Sequence, residues 1–159
     1  MQNKGNLFIV YGGLQKGTKM IVVACVDNNM GLLFNKRRQS QDKVMRERLL
    51  QRCAGCKLWM NAYSFNMFKE QAADPNVNIC VAEDFLQQAA TGDYCLIENT
   101  DPANYIDKIE QIILFCWNRD YPADFYFNVP LQAKTWQLLS SEDFCGTSHE
   151  KITEEVYGR

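Results

Sequence analysis

The amino-acid sequence predicts an α/β fold: a central mixed, mostly parallel sheet with helices on both faces and antiparallel strands at the C-terminus. Three observations lead to this prediction. Short apolar runs alternate with segments of helical spacing along most of the chain. The run 111–117 is apolar throughout its centre, as in strands that are buried on both faces of a sheet. The last two strand-like runs have no helix between them, which favours antiparallel pairing.

The first half of the chain supplies two long elements and several short ones. Met20–Val26 reads as a strand, and 42–52 reads as a helix because Val44, Met45, Leu49 and Leu50 recur at helical spacing. A strand is predicted at 57–60, and the helix after it, 63–71, has Phe65 and Phe68 on one face.

The second half continues the alternation. A strand is predicted at 77–82, and a short helix at 83–90 has acidic residues in its first turn, where the helix dipole favours them. After a strand at 94–97, Asp101-Pro102 has the pattern of a cap followed by a first-turn proline, which predicts a helix start. Strands at 111–117, 136–139 and 150–157 complete the sheet.

Size and composition limit the function classes. The 159 residues suit one ordinary domain, and 47% of them are hydrophobic, which predicts a packed core. We assign that domain to 20–159 and treat 1–19 as an N-terminal extension, in which 7–11 resembles an edge strand. With 17 basic and 19 acidic residues, the net charge of -2 gives no overall attraction for nucleic acid or an anionic membrane.

The cysteines and the absence of a long apolar run predict the cellular location of the protein. No run approaches the roughly 20 residues of a membrane span. Seven cysteines, most of them within apolar runs, favour buried free thiols in a reducing environment, so we expect a soluble cytoplasmic protein. Cys53 and Cys56 have redox-motif spacing but fall at a predicted helix end, where the dipole opposes a thiolate. With His149 as the only histidine, taken as a strand residue near the C-terminus, we expect no metal site.

From Met20 onward, several residues follow one another in a recognisable order. Asp27 and Gly31 follow the first strand, and Asp42 stands at the start of the first helix. Toward the end come Asp124-Phe125-Tyr126-Phe127, Trp136, Ser148-His149 and Tyr157. Together with the order of elements, these residues resemble the dihydrofolate reductase family, in which the position of Asp42 is that of the carboxylate that hydrogen-bonds the pterin. The resemblance implies a catalytic role for Asp42, whereas its residue type at a helix start equally indicates a cap.

The segments that correspond to the family's NADPH site differ from its pattern. The family's Gly-Arg-x-Thr is Asn61-Ala62-Tyr63-Ser64 here, so Asn61 and Ser64 are the remaining candidate cofactor contacts. Cys80-Val81-Ala82-Glu83 puts a carboxylate where the family has phosphate-binding hydroxyls. Glu98-Asn99-Thr100-Asp101 replaces the Gly-Gly pair that approaches the pyrophosphate. These changes predict that no NADPH is bound in the ordinary way.

Acidic side chains follow several predicted parallel strands, whose carboxyl ends form the ligand cleft of an open α/β sheet. We therefore predict an acidic cleft formed by Asp27, Glu83, Glu98 and Asp101. Basic residues are concentrated elsewhere, in a patch of Lys36, Arg37, Arg38 and Arg46 that continues to Arg52. This patch is typical either of a solvated surface or of a face that meets phosphates or an acidic partner.

Three functional interpretations remain open. The first is a dihydrofolate-reductase-like protein without ordinary reductase activity, which acts as a binding, interaction or regulatory module for an unknown ligand or partner. The second is a divergent NAD(P)H-dependent folate or pterin reductase, with Asp42 as the acid and NADPH as cofactor. The third and weaker one is nucleic-acid binding through the Lys36 to Arg52 face.

Overall fold

The computed structural model describes residues 17–159, which form ten strands and three α-helices. In chain order they are β1 (Met20–Val26), β2 (Gly31–Phe34), β3 (Arg37–Arg38), α1 (Lys43–Arg52), β4 (Leu58–Met60), α2 (Ala62–Phe65), β5 (Ile79–Val81), α3 (Phe85–Gln88), β6 (Tyr94–Leu96), β7 (Ile109–Cys116), β8 (Phe125–Tyr126), β9 (Gln137–Phe144) and β10 (Ile152–Gly158). The predicted strand at 7–11 lies outside the described residues.

The main sheet has seven strands in the order β5-β4-β6-β1-β7-β10-β9. The first five are parallel to one another, and β10 and β9 are antiparallel to their neighbours. The mixed, mostly parallel sheet with antiparallel C-terminal strands is therefore confirmed. Strand β1 lies at its centre, where Val22 pairs with Cys95 on one side and with Ile112 on the other.

Side chains of β1 alternate between two cores, one on each face of the sheet. Ile21 and Val23 pack on the face covered by α1, whose Met45 and Leu49 are fully buried. Val22 and Ala24 pack on the opposite face, which α3 covers. Complete burial of a leucine such as Leu49 stabilises the fold by roughly 1.5–3 kcal/mol. Helices therefore cover both faces of the sheet, as predicted.

A smaller sheet of three strands, β3-β2-β8, lies beside the main one and was not predicted. Strands β2 and β3 form a hairpin whose two-residue turn, Asn35-Lys36, has φ values of 53° and 64°. Two positive φ values identify a type I′ turn, which normally contains glycine at the second position. Because Lys36 stands there, the turn has no recognisable sequence signal.

Two predicted helices are shorter than their patterns indicated, and a third is a 3₁₀ helix. The segment predicted at 63–71 is helical only as α2, and Met67 and Phe68 continue it in turns that bond three residues back. A spacing of three between Phe65 and Phe68 suits such a turn as well as an α-helix. The helix predicted at 83–90 is α3 alone. The one predicted after Asp101-Pro102 is the 3₁₀ helix Ala103–Lys108.

Strand β9 is longer than predicted and β10 is one residue shorter, and β9 is an edge strand within the described part of the chain. Seven of its eight residues are exposed, including Leu138 and Leu139. No helix in the described residues has the length and apolar character needed to cross a membrane.

Candidate functional site

The carboxyl ends of the parallel strands meet at one edge of the sheet, together with the start of α1. Asp27 follows β1, Asn61 follows β4 and Glu98 closely follows β6. This edge is where open α/β sheets bind ligands. The sheet therefore brings Asp27, Asn61 and Glu98, all named from the sequence, to one edge.

Asp27 is buried and organises the turn that leads to β2. Its Oδ1 accepts hydrogen bonds from the backbone N–H groups of Asn29 and Gly31, at 2.9 and 2.8 Å. Its Oδ2 accepts from the N–H of Tyr121 and from the Gln39 amide, both at 3.1 Å. Burial alone would raise the pKa of Asp27, but these hydrogen bonds hold it below its usual value. Asp27 thus fixes a turn rather than presenting a free charge to a cleft.

Gly31 owes its place to close packing against the same turn. A Cβ atom here would lie 2.6 Å from the Ala123 Cβ, 2.6 Å from the Gln39 Nε2 and 3.1 Å from an Asp27 oxygen. The Asp27 and Gly31 pair is therefore explained by local backbone structure.

Glu98 is paired with Arg38, which joins the β2–β3 hairpin to the end of β6. Arg38 Nε and Nη2 donate to the two Glu98 oxygens at 2.8 and 3.0 Å. The Ser64 hydroxyl also donates to Glu98 Oε1, at 2.8 Å. The Arg38 guanidinium lies 4.4 Å from the centre of the Tyr63 ring, and the Tyr63 hydroxyl accepts from the Arg38 N–H at 2.9 Å. Glu98 is thus neutralised, whereas the sequence predicted an acidic cleft residue.

The start of α2 is closed by hydrogen bonds within the chain. Asn61 Oδ1 accepts from the Ser64 N–H at 3.1 Å, and its Nδ2 donates to Asn99 at 2.7 Å. The Ala62 N–H donates to Glu83 at 3.1 Å. Ser64 is buried, and its hydroxyl is already used by Glu98. Asn61 and Ser64 were the candidate residues for contacting the cofactor. Their side chains are instead hydrogen-bonded to neighbouring residues of the chain.

Asp101 stays apart from this network. It is exposed, and its carboxylate accepts from the Ala103 N–H at 2.9 Å, which fixes its own loop. Of the four predicted acidic cleft residues, Glu83 and Asp101 are exposed. Asp27 and Glu98 are hydrogen-bonded or ion-paired within the protein.

Asp42 caps α1 and holds the loop before β10 against it. Its side chain is 0% exposed. It accepts hydrogen bonds from the N–H groups of Met45, Thr147 and Ser148, at 3.2, 3.0 and 2.9 Å, and from the Ser148 hydroxyl at 3.2 Å. Burial alone would raise the pKa of Asp42, but the amides of Ser148 and Thr147 and the His149 imidazole hold it well below its usual range. The cap interpretation of Asp42 is the one that matches this geometry.

His149 is the residue that sequence reasoning most clearly misplaced. It is buried in the loop before β10, not in a strand, and its Nδ1 lies 3.0 Å from Asp42 Oδ2. Its Nε2 lies 3.0 Å from the Ser40 hydroxyl and 3.4 Å from the Tyr121 hydroxyl. The Trp117 ring stacks on the imidazole, with centroids 4.5 Å apart. Ser40 precedes Asp42 by two residues, but His149 is 107 residues from Asp42, so only the fold reveals the contact.

The basic patch is divided among several partners. Lys36 and Arg37 are exposed and form no ion pair within residues 17–159, while Arg38 is bound to Glu98. Arg46 is half-buried and donates to the Gln41 side chain at 3.0 Å. Farther along α1, Arg48 and Arg52 both contact the buried Glu154. The continuous basic face suggested by the sequence is therefore interrupted by carboxylates.

The cysteines form no disulfide and no metal-ligand group in the described part of the chain. All seven thiols are free, and burial raises the pKa of Cys53 to about 11. Among residues 17–159, no three His, Cys, Asp or Glu side chains are grouped closely enough to hold a metal ion.

Two cavities flank the β2–β3 hairpin. One, of about 340 Å³, is lined by Phe34, Asn35, Arg37, Arg38, Gln39, Tyr121 and Pro122. The other, of about 520 Å³, is lined by Leu33, Asn35, Lys36, Asn99, Asp124 and Phe125. Both have the volume of small-molecule pockets, and each places at least one cation beside aromatic surface.

Comparisons with known proteins give a structural match only. No family model and no curated protein matches the sequence. Among solved structures, the chain is similar to dihydrofolate reductase from Enterococcus faecalis complexed with NADP(H) and RAB-propyl. The TM-score is 0.60 at 10% sequence identity, over 88% of this chain and 95% of that one. The chain therefore has a dihydrofolate-reductase-like α/β fold.

Proposed function

We propose that this protein is a small-molecule binding module on a dihydrofolate-reductase-like scaffold, and that it does not act as an ordinary NADPH-dependent reductase. The observation that carries the proposal is the ion pair between Arg38 and Glu98. It occupies the strand edge at which the resemblance would place the cofactor pyrophosphate, and it ties the hairpin to that edge.

The start of α2 supports the same proposal. A phosphate bound at a helix start needs free backbone N–H groups. Here the N–H groups of Ala62 and Ser64 are already bonded to Glu83 and Asn61. A bound phosphate would have to displace both acceptors and lie beside the Glu83 carboxylate.

The buried state of Asp42 argues against the divergent reductase. A pterin would need access to this carboxylate, which is 0% exposed and already accepts five hydrogen bonds. The second interpretation therefore requires the 145–149 loop to leave Asp42 before substrate binds.

Binding by one of the two hairpin cavities is the positive part of the proposal. Of the two, the cavity of about 340 Å³ suits a small anionic compound with an apolar part, because the exposed Arg37 lies there beside aromatic side chains, whereas Asp124 offsets Lys36 in the other cavity. The nucleic-acid interpretation has less support, because three of the arginines in the Lys36 to Arg52 face are paired with carboxylates. Seven free cysteines favour a reducing compartment, and we propose the cytoplasm as the location.

Calorimetric titration with NADPH, and separately with a diaminopyrimidine antifolate, tests the proposal. We expect no binding of either compound at concentrations up to about 100 μM, which corresponds to a binding free energy weaker than about -5.5 kcal/mol. Micromolar binding of NADPH that weakens in Ser64→Ala, or of the antifolate that is lost in Asp42→Asn, would establish the reductase instead. Lys134→Ala, an exposed position far along the chain, serves as the control variant.

A further inference from the structure

Ser40, His149 and Asp42 form a continuous hydrogen-bonded chain that the proposed binding function does not use. The Ser40 hydroxyl lies 3.0 Å from His149 Nε2, and His149 Nδ1 lies 3.0 Å from Asp42 Oδ2. These are the contacts of a nucleophile with its base, and of the base with the carboxylate that orients it.

The protonation of this chain follows from its partners. Asp42 is a carboxylate because its surrounding donors favour the charged form, and a carboxylate only accepts hydrogen bonds. His149 Nδ1 must therefore carry the proton that it donates to Asp42. In the neutral imidazole, Nε2 then has the free lone pair and accepts from the Ser40 hydroxyl. This is the tautomer that a base for Ser40 requires.

The imidazole is held firmly in this orientation. Trp117 stacks on it with an interplanar angle of 22°, and the Gly146 N–H donates to the His149 carbonyl at 2.9 Å, which closes the loop. Thr147 and Ser148 bind Asp42 from the same loop. The base and its orienting carboxylate are thus positioned before any substrate binds.

Ser40 has the accessibility that the other two residues lack. It is half-buried, while the side chains of Asp42 and His149 are 0% and 3% exposed. The cavity of about 340 Å³ is lined by Gln39, the neighbour of Ser40 in sequence, and by Tyr121, whose hydroxyl contacts the same Nε2. Its aromatic walls and Arg37 suit an ester that carries an apolar group and an anionic group.

We propose that Ser40 is the nucleophile of a serine esterase site, with His149 as general base and Asp42 as its positioning residue. The Ser40 Oγ attacks the ester carbonyl carbon, and its proton passes to His149 Nε2. The carbonyl carbon–oxygen bond to the alcohol breaks, and the alcohol leaves with that proton. Water then attacks the acyl-Ser40 ester, delivers a proton through Nε2, and releases the carboxylic acid.

Covalent labelling of the full chain by an alkyl fluorophosphonate tests the nucleophile. Here the Ser40 Oγ forms a bond to phosphorus, fluoride leaves, and the hydroxyl proton goes to Nε2. Intact-mass and peptide analysis should find one adduct, located at Ser40, and none in Ser40→Ala. Ser141→Ala, an exposed serine of β9, should be labelled like the unchanged protein. Equal labelling of Ser40→Ala, or no adduct at millimolar probe, would overturn the proposal.

Hydrolysis of p-nitrophenyl acetate and of mono-p-nitrophenyl succinate tests the base and the substrate class. Relative to Ser40→Ala, the unchanged protein should release p-nitrophenolate at least about 10²-fold faster, and His149→Ala should be about as slow as Ser40→Ala. Arg37→Ala should slow the succinate ester selectively. A rate unchanged by Ser40→Ala would refute the activity.

The role of Asp42 needs a readout that a purely structural cap would not move. Asp42→Asn provides it, because the asparagine keeps an oxygen acceptor for the N–H groups at the start of α1 but places no negative charge beside the imidazole. If Asp42 positions the base, the folded variant should show a shifted pH–rate profile and slower fluorophosphonate labelling. An unchanged profile in a folded Asp42→Asn protein would remove Asp42 from the mechanism. This experiment does not involve NADPH, so its failure leaves the proposed binding function untouched.

Discussion

Arg38 and Glu98 form a two-pronged ion pair across the strand edge, with the Arg38 Nε and Nη2 atoms 2.8 and 3.0 Å from the two Glu98 oxygens. The side chains are 20% and 11% exposed, so the pair is shielded from solvent more than a surface salt bridge is. Together with the hydrogen bonds between Gly31 and Asp27, it links the β2–β3 hairpin to the large sheet. Loss of the ion pair should therefore destabilise the hairpin.

Arg38→Ala should lower the free energy of unfolding by about 2 kcal/mol, because Glu98 would be left partly buried with only Ser64 as a partner. Glu98→Gln should cost less, about 1 kcal/mol, since its amide oxygen still accepts from Arg38. A double-mutant cycle in urea should give a coupling energy of about 1–2 kcal/mol. Strictly additive effects would mean that the contact contributes nothing to stability, and Arg37→Ala serves as the neighbouring unpaired control.

Asp42→Asn should destabilise the protein by about 3 kcal/mol at pH 7, because an amide oxygen cannot replace a carboxylate that accepts from five donors. The sign of the pH dependence follows from the lowered pKa of Asp42. Its contribution is fully present above the ordinary value of 3.8 and is lost as the pH falls toward the lower folded-state pKa.

The measurement is the difference in urea unfolding free energy between the unchanged protein and Asp42→Asn at pH 7, 5, 4 and 3. This difference should be constant from pH 7 to 5 and should shrink below about pH 4. Asp107→Asn, at an exposed position, should show no such trend. A difference that stays the same at pH 3 would contradict the assignment of Asp42 as a buried ionised cap.

The sheet could be predicted from the sequence because its strands are apolar and its helices have a distinct spacing. β1, whose residues are nearly all buried, and α1, with Met45 and Leu49, were found at close to their observed bounds. The bounds of the short helices were not predicted correctly. α2 and α3 have four residues each, which is about one helical turn and too short for a helical spacing of apolar residues to show.

The candidate site was only partly predictable, for a different reason. The position of Asp27, Asn61 and Glu98 at one sheet edge follows from parallel topology alone. Their hydrogen-bond partners do not, because Arg38 meets Glu98 across 60 residues and His149 meets Asp42 across 107. From residue type alone, Glu98 was predicted to be a negative charge in the cleft. Only the fold shows that Arg38 lies beside it and neutralises it.

Lys36→Gly should stabilise the protein by about 0.5–1 kcal/mol. Lys36 has a φ of 64°, and a glycine adopts this left-handed conformation without the steric cost that a Cβ imposes. The change would give the Asn-Gly turn that type I′ hairpins favour. The readout is the urea midpoint at unchanged slope. Arg37→Gly, one residue later in β3, should have the opposite effect, because glycine weakens a strand. Loss of stability in Lys36→Gly would show that the lysine side chain makes a compensating contact.

Thiol modification should follow the order of burial of the cysteines. Cys145 is exposed and should react with iodoacetamide first, followed by the half-buried Cys56 and Cys80. Burial raises the pKa of Cys95 to about 12 and that of Cys53 to about 11, and these buried thiols should react only through local opening. Cys116 is half-buried, but its pKa is also raised by burial to about 12, so it should react more slowly than Cys56 and Cys80. Peptide mass spectrometry over time gives the seven rates of modification.

Adding 2 M urea should accelerate the modification of Cys95 far more than that of Cys145, because only the buried thiol needs the structure to open. Rapid modification of Cys53, or a Cys53–Cys56 disulfide under mild oxidation, would instead identify the pair as redox-active.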